Sequence, residues 1–514
     1  MSKTIIIIGA GLAGLSAALQ AAENGCNVKL VSSFPSERAQ SVMAEGGINA
    51  ALNTKDENDS PEEHFTDTIK AACGLADPNA VWGMTQAAPE LVHWLLKLGV
   101  KFNMSGYDDV DLRNFGGQKK KRTAFAQSDT GKQIMTAMID AVRRKEASGM
   151  VERFSHHSFL TLRLCGNICC GCVIRDEYSQ ETVELPGDAV IVATGGMHGL
   201  FGNTTGSLSN TGEVTAELFR LGVPLANGEM IQYHPTTVKC GGKRMLISEA
   251  ARGEGGRLFA MKDGKQWYFM EEKYPELGNL MPRDITAREI WKVSHESEVF
   301  LDMTEISEEI ISNKLSGLAD DCMTYLHKDI RKEPVSVLPG IHYFMGGILV
   351  DEQHRTPIQN LYAAGECCAQ YHGANRLGGN SLLGALYGGR VAAKSACEQA
   401  DVVDLSCATQ IDFPPASQVS EIKQLNKVMQ ETMGVVRNEN TLLNGIQTVQ
   451  ALTGNLPLLG MAVLKSALAR KESRGAHWRE DYPKSNDDDY LKTTVARFDG
   501  KQIQISFVPV PERR

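Results

Sequence analysis

The chain begins with an apolar run and then alternates small and apolar residues, Ile5 to Ala22 reading IIIIGAGLAGLSAALQAA. Four consecutive isoleucines predict a strand buried on both faces. Leu15 to Ala22 predicts a helix. Between them Gly9, Gly11 and Gly14, with Ala10 inside the turn, have G-x-G-x-x-G spacing. Such glycines allow a tight turn, close backbone approach to a pyrophosphate, and close packing of helix on strand. The helix amino end adds free N–H donors and partial positive charge. The run is just long enough to span a membrane, but the glycines, Ser16 and Gln20 interrupt it and no basic stretch precedes it.

The alternation continues as an α/β pattern. Asn27 to Ser32 predicts a second parallel strand. It ends in Ser32-Ser33, where many NAD-binding folds carry an acidic residue for the ribose. That disfavours NAD and leaves FAD open. Helical patterns follow at Pro61–Cys73, Pro78–Leu98 and Lys132–Arg144, then strand-rich sequence to Glu184. Ala189 to Gly196 (AVIVATGG) is another buried strand running into glycines, with Ala193 and Gly195 at its end, and Glu213 starts a further helix. From Gly228 to Gly340 the sequence turns to short segments and clustered charge, read as an inserted second domain. The α/β pattern resumes at Gln359–Cys368 and at Gly373–Ala393, a glycine-rich loop feeding a helix near Ser381-Leu382. Residues 401–417 read as a linker. Glu421–Thr432 and Ala462–Lys471 read as helices with a less regular stretch between, and the tail is polar, then strand-like.

Composition narrows this picture. The 514 residues allow roughly three or four domains. A net charge of -9 and pI near 5.8 disfavour nucleic acid as a partner. No signal peptide, twin-arginine leader or second spanning segment is visible, which predicts a cytoplasmic chain. The 12 cysteines suit a reducing compartment. Cys165, Cys169, Cys170 and Cys172 crowd together, but Gly166-Asn167 looks like a hairpin turn and strand alternation splays neighbouring thiols apart. Buried free thiols, not a metal site, are expected. The polar residues 54–65 read as exposed, and Lys119-Lys120-Lys121-Arg122 as a solvated loop.

Candidate chemistry sits in Gly-, Pro- and Asn-rich loops at the predicted domain junctions, where sites usually lie. The residues are His234, Glu249, Arg252, Arg283, His342 and Arg376. Arginine grips carboxylates bidentately and histidine donates one bond, so two such clusters suit a dianionic substrate. No nucleophile elbow, H-E-x-x-H pair or P-loop is present, so acyl transfer, zinc hydrolysis and P-loop chemistry lack support.

Taken in order, the stretches AEGGINAAL, NFGG, ATGG, HPTT, SEAARGEGG, PRD, HYFMGG, AAGE, GANRLGGNSLL and SRGAHWREDYP resemble the flavoprotein subunit of the fumarate reductase and succinate dehydrogenase family over nearly the whole chain. The resemblance implies an α/β fold: a Rossmann-like FAD domain (1–227 and 342–400) interrupted by an α+β capping domain (228–341), then a short helical domain (401–475) and a C-terminal segment (476–514). It implies that His234, Ser248, His342 and Arg376 clamp a small dicarboxylate, with Phe115 facing it. Arg283 becomes the proton donor, and Glu249 and Arg252 its relay. Arginine is an unusual acid, with an ordinary pKa above about 12. For FAD the resemblance assigns Gly9, Ala10, Gly11, Gly14, Ser32, Glu45, Gly46, Gly47, Ala193, Gly195, Glu213, Glu366, Ser381 and Leu382. It also implies iron–sulfur and membrane-anchor partner subunits, which would hold the chain at the inner face of the membrane.

Departures from the family pattern matter. Many members attach FAD covalently to a histidine whose place is taken here by Gln40, so non-covalent FAD is expected, with a bias toward fumarate reduction. The helical region looks short for the family. L-aspartate oxidase is a similar enzyme that usually has an acidic residue where this chain has Phe115; an apolar ring suits an alkene dicarboxylate better than an ammonium. A non-catalytic FAD electron-transfer subunit is the alternative from another class, disfavoured by the intact histidine and arginine set.

Overall fold

The structure, a computed structural model, describes residues 2–106, 109–401, 413 and 418–514. Five parallel strands form its central sheet: β1 (Thr4–Ile8), β2 (Asn27–Ser32), β3 (Val151–Ser155), β4 (Ala189–Val192) and β5 (Leu361–Ala363), ordered β5-β4-β1-β2-β3. β1 is the middle strand. Ile5 and Ile7 enter the core under the helices, while Ile6 and Ile8 join a second core on the opposite face with Leu162, Cys172 and Ile174. Burial on both faces is why the run is uniformly apolar.

The first helix, α1, spans Leu12–Glu23 and so starts one turn earlier than its apolar pattern predicts. Gly11 is its N-cap and Gly14 lies in its first turn. A Cβ on Gly14 would stand 1.9 Å from the Gly9 carbonyl oxygen, so only glycine lets that turn close onto the strand end. A second long helix, α2 (Asn380–Gln399), packs along α1. Ser16 Oγ donates to the Leu386 carbonyl at 2.7 Å, and a Cβ on Gly389 would meet the Ala13 carbonyl at 2.3 Å. Both helices direct their amino ends toward the carboxyl edge of the sheet, the usual ligand edge of such folds.

Three antiparallel strands lie over that edge, Ile231–Cys240 central between Lys243–Leu246 and Leu338–Phe344. A boundary after residue 341 falls inside the last of these. Helix Arg283–Val293 packs on the central strand. A separate four-stranded antiparallel sheet, with Arg257–Lys262 and Val299–Asp302 at its centre, has its own core of Leu258, Ile290, Leu301 and Leu318. Helices Val419–Thr432, Glu439–Val449 and Asn455–Ala469 pack with Leu200, Phe201 and Phe344. The middle one occupies the stretch expected to be irregular. Asn438 caps it by accepting from the Thr441 N–H at 2.9 Å, and Leu442 and Val449 bury its inner face. The tail strands Lys492–Phe498 and Ile503–Pro509 pair with each other, and the first also pairs with Leu225–Ala226.

Other expectations need correction. Residues 54–65 are not uniformly exposed: Asp59 is buried, and His64 is fully buried with Nε2 2.9 Å from Asn380 Oδ1. The basic run is a loop, but Arg122 at its end is fully buried, 2.8 Å from Asp59 and 3.0 Å from Asp67. Charge complementarity with two inward carboxylates outweighs the tendency of such runs to stay solvated. The hairpin His157–Cys165 and Ile168–Asp176 has the expected turn, and Cys169, Cys170 and Cys172 are buried free thiols. Cys165 departs from expectation, being disulfide-bonded. Among the described residues no cluster of His, Cys, Asp and Glu could hold a metal, and no helix is long and apolar enough to cross a membrane. Apart from Asp401 and Phe413, the predicted linker lies outside the described residues.

Candidate active site

One cavity of about 610 Å³ runs from the glycine turn to the antiparallel strands. Its near end is a backbone cradle. Gly9 has φ +110°, and a Cβ there would lie 2.3 Å from the Ala193 carbonyl oxygen, so strand ends β1 and β4 meet only through glycine. Gly11 faces open space, its nearest neighbour for a Cβ being Ser41 Oγ at 3.7 Å. The N-caps of α1 and α2 are glycines without a capping side chain; at α1 Ser41 Oγ accepts from the Leu12 N–H at 3.2 Å. Ser32 Oγ, Gln40 Oε1 and Glu45 Oε2 are buried without hydrogen-bond partners, and all three residues line the cavity. Glycine N-caps at the helix ends and orphaned polar atoms around a long cleft fit a dinucleotide: pyrophosphate at the helix ends, hydroxyl-bearing groups at the orphaned atoms.

The far end is cationic. His234 lies on the central antiparallel strand and His342 on its neighbour, their rings edge-to-face with centroids 5.1 Å apart. His342 Nδ1 is 2.8 Å from Thr205 Oγ1, and His234 Nδ1 is 3.1 Å from the Thr236 carbonyl. Ser248 is the N-cap of the short helix Glu249–Gly253 and accepts from the Ala250 N–H. Arg283 opens its own helix and forks onto Glu249 Oε2, with Nε at 2.8 Å and Nη2 at 2.5 Å; its Nη1 donates to Gln232 Oε1 at 3.2 Å. Arg252 Nη2 donates to the other Glu249 oxygen at 3.3 Å. Glu249 is thus shared by two guanidiniums and also accepts from the Gly116 N–H at 3.2 Å.

Arg376, in the loop before α2, has no such partner. It is buried, forms no ion pair among the described residues, and its Nε has no hydrogen-bond partner. Its Nη1 reaches the Leu377 carbonyl only at 3.5 Å. A buried charge without a counter-ion is costly, so a ligand anion is the natural partner of Arg376. Phe115 closes the opposite wall, its ring within 2.7 Å of where a Gly46 Cβ would stand and 2.9 Å of a Gly378 Cβ.

Electrostatics follow from burial among cations. Burial, then Arg283, His342 and Arg252, pushes the His234 imidazole well below its usual range. Burial, then Arg283 and Arg376, does the same to His342. Both are neutral, able to donate one hydrogen bond without adding charge. Burial and the nearby Arg283 bring Arg376 down to about 9. Burial alone would raise Glu249, but Arg283 and Arg252 outweigh it and hold the carboxyl below its ordinary value. Glu45 is the opposite case: burial, with Asp321 and Asp129 nearby, pushes it up to about 8.

Of the residues singled out from sequence, all line this cavity except Gly14, which is packed under the turn, and Arg252, which lies behind Glu249. Sequence reading missed Gln232 and Tyr343. Gln232 anchors Arg283 and also donates to Asn375 Oδ1 at 3.0 Å and the Arg376 carbonyl at 2.9 Å, tying the two arginine loops together. Its position two residues before His234 on a strand, hence on the same face, was the available signal.

A parallel nucleotide sheet whose cleft runs into a cationic pocket defines the class, an FAD-binding oxidoreductase. Residues 4–382 match the FAD binding domain family and residues 452–513 the fumarate reductase flavoprotein C-terminal family. The succinate dehydrogenase flavoprotein subunit of Bacillus subtilis is 38% identical over 576 aligned positions, covering 100% of this chain and 98% of the relative. The alignment is longer than this chain, so the relative carries segments it lacks. The 8-methylmenaquinol:fumarate reductase flavoprotein subunit of Wolinella succinogenes is 32% identical, covering 100% and 92%. Among solved structures, the quinol fumarate reductase flavoprotein of E. coli superposes with TM-score 0.90 at 27% identity, covering 99% of this chain and 97% of that one. The chain belongs to the flavoprotein subunit family of succinate dehydrogenases and fumarate reductases.

Proposed function

We propose that the chain interconverts fumarate and succinate, favouring fumarate reduction, with FAD held non-covalently. The observation that carries this reading is Arg376, a buried arginine without a counter-ion among the described residues, beside two neutral histidines in the cavity that also holds the nucleotide cradle. When bound, FAD would supply or accept the hydride. The chain's own residues do the rest. Arg376, His234, His342 and Ser248 hold the two carboxylates, and Phe115 presents an apolar wall to the alkene. Polarising one carboxylate stabilises the charge that develops on it in the transition state. Arg283 gives a proton to the substrate carbon, and Glu249, kept ionised between Arg283 and Arg252, returns it along the chain Arg252–Glu249–Arg283. Gln40 in place of the usual histidine supports a non-covalent flavin and the reductive direction.

We read residues 1–227 with 342–400 as the FAD domain, 228–341 as a cap able to move, 401–475 as the helical domain and 476–514 as the closing segment. The relatives are named as subunits, and this chain has no haem-attachment motif. Its electrons come from a partner, read as an iron–sulfur subunit with a membrane anchor. The test is fumarate-dependent oxidation of reduced viologen by the purified FAD-loaded chain. Turnover with fumarate and none with L-aspartate is expected; flavin bleaching by L-aspartate without fumarate turnover would overturn the reading.

A further inference from the structure

We infer that Tyr343 is a positioning residue whose ring, in place of a counter-ion, holds Arg376 toward a bound dicarboxylate. This rests on the proposed dicarboxylate site and adds to it how the unpaired arginine stays charged, aimed and free to bind.

Arg376 and His372 both meet the Tyr343 ring. The Arg376 guanidinium carbon lies 4.5 Å from the Tyr343 ring centroid, within cation–π range. The His372 ring meets Tyr343 edge-on with centroids 5.3 Å apart at 80°. His372 is itself buried, and its ring packs at 6.0 Å against Tyr371. Tyr371 is anchored in turn through its hydroxyl to His354 Nε2 at 2.5 Å. The Tyr343 ring therefore stands in a wall of aromatic side chains.

The contrast with Arg283 shows what this arrangement does. Arg283 spends Nε and Nη2 on Glu249 and Nη1 on Gln232. Arg376 spends almost nothing on the protein. A ring attracts the guanidinium through its face and uses none of its N–H groups. A carboxylate partner would also stabilise the charge but would compete with the substrate for the same donors. Glu249 and Glu366 are both close enough to attract Arg376 electrostatically. Without the ring the guanidinium turns toward one of them, and dicarboxylate affinity falls.

The experiment compares the FAD-loaded wild type with Tyr343→Phe and Tyr343→Met, and with Tyr343 replaced by phenylalanines of increasing ring fluorination. The last series weakens the ring face at nearly constant volume, so it reads the electrostatic role even where Tyr343→Met folds poorly. Malonate is the probe, a non-reacting dicarboxylate, with binding read by flavin absorbance perturbation. Fumarate KM and kcat are read alongside. The Phe variant is expected to bind malonate within about twofold of wild type. Met is expected to weaken it by about tenfold, and the fluorinated series to weaken it progressively. KM should rise with these losses while kcat changes much less, since Arg283 is untouched. Malonate affinity unchanged across the fluorinated series overturns the ring's role, as does a Phe variant as weak as Met. Failure of the wild type itself to bind malonate or turn over fumarate overturns the dicarboxylate reading and this inference with it.

Discussion

Replacing Arg283 by alanine separates binding from chemistry in this site. The side chain makes three hydrogen bonds, two to Glu249 at 2.8 and 2.5 Å and one to Gln232 at 3.2 Å. After truncation Glu249 keeps Arg252 at 3.3 Å and the Gly116 N–H at 3.2 Å, so its charge is not stranded. Gln232 still donates to Asn375 and to the Arg376 carbonyl but loses its own donor. A charge-assisted bond contributes about 1.5–3 kcal/mol and a newly orphaned buried acceptor costs about 1–3 kcal/mol. These terms are not additive; removing one partner of a buried ion pair costs about 3–5 kcal/mol, enough to lower Tm by several degrees but not to unfold the chain. None of these bonds involves Gly9, Gly11 or Gly14, so FAD content should match wild type. His234, His342 and Arg376 remain, so malonate affinity should fall by less than about tenfold. Turnover should collapse. Loss of a positioned proton donor costs about 10² to 10⁴ in rate, which is roughly 3–5 kcal/mol of barrier. The assay is fumarate-dependent viologen oxidation, with flavin content and malonate binding measured on the same preparation. Retention of more than a tenth of wild-type kcat, with FAD bound, would refute Arg283 as the donor.

Further outcomes test other parts of the structure. Flavin should appear in the supernatant after acid precipitation, because Gln40 offers no attachment point; flavin in the pellet contradicts this. Gly14→Ala should yield protein without FAD, since its Cβ would lie 1.9 Å from the Gly9 oxygen, and flavin content reads this directly. Arg122→Ala leaves Asp59 and Asp67 buried without their cation and should cost about 3–5 kcal/mol in denaturant unfolding, whereas Lys119→Ala on the same loop should change stability by less than about 0.5 kcal/mol. Glu45 has a folded pKa raised from 4.5 to about 8, so the native state holds a proton there that the unfolded chain releases above about pH 4.5. Its contribution to stability is full below that value and is lost as pH rises toward 8. Glu45→Gln should therefore gain Tm over wild type progressively between pH 5 and pH 8; a pH-independent difference refutes the shift.

The central sheet was legible because its strands are buried on both faces and glycines sit at their ends. Four isoleucines in a row admit few other readings. The start of α1 was displaced because glycine lowers helix propensity, while here Gly14 is required by contact with the strand end, which no local pattern encodes. The helix Glu439–Val449 was missed because its exposed face carries Asn440, Asn444 and Gln447, and only packing against neighbouring helices reveals its inner stripe. Arg122 was misjudged because its carboxylate partners lie more than fifty residues earlier in the chain. In the site, residue types in glycine-rich loops singled out the arginines and histidines. What they could not show was pairing: that Arg283 and Arg252 share Glu249 while Arg376 has no carboxylate partner among the described residues. Tyr343 lay unread beside His342, since its role depends on a guanidinium brought near by folding.

The claim that this cavity carries hydride and proton transfer to an alkene dicarboxylate is tested most directly by a single turnover. The FAD-loaded chain is reduced anaerobically, freed of excess reductant and mixed with fumarate, while oxidised-flavin absorbance and succinate are followed together. Absorbance is expected to return rapidly with one succinate formed per flavin, and Arg283→Ala to stay reduced while still binding malonate. Flavin that remains reduced in wild type with fumarate bound, or that reoxidises without succinate, would contradict it.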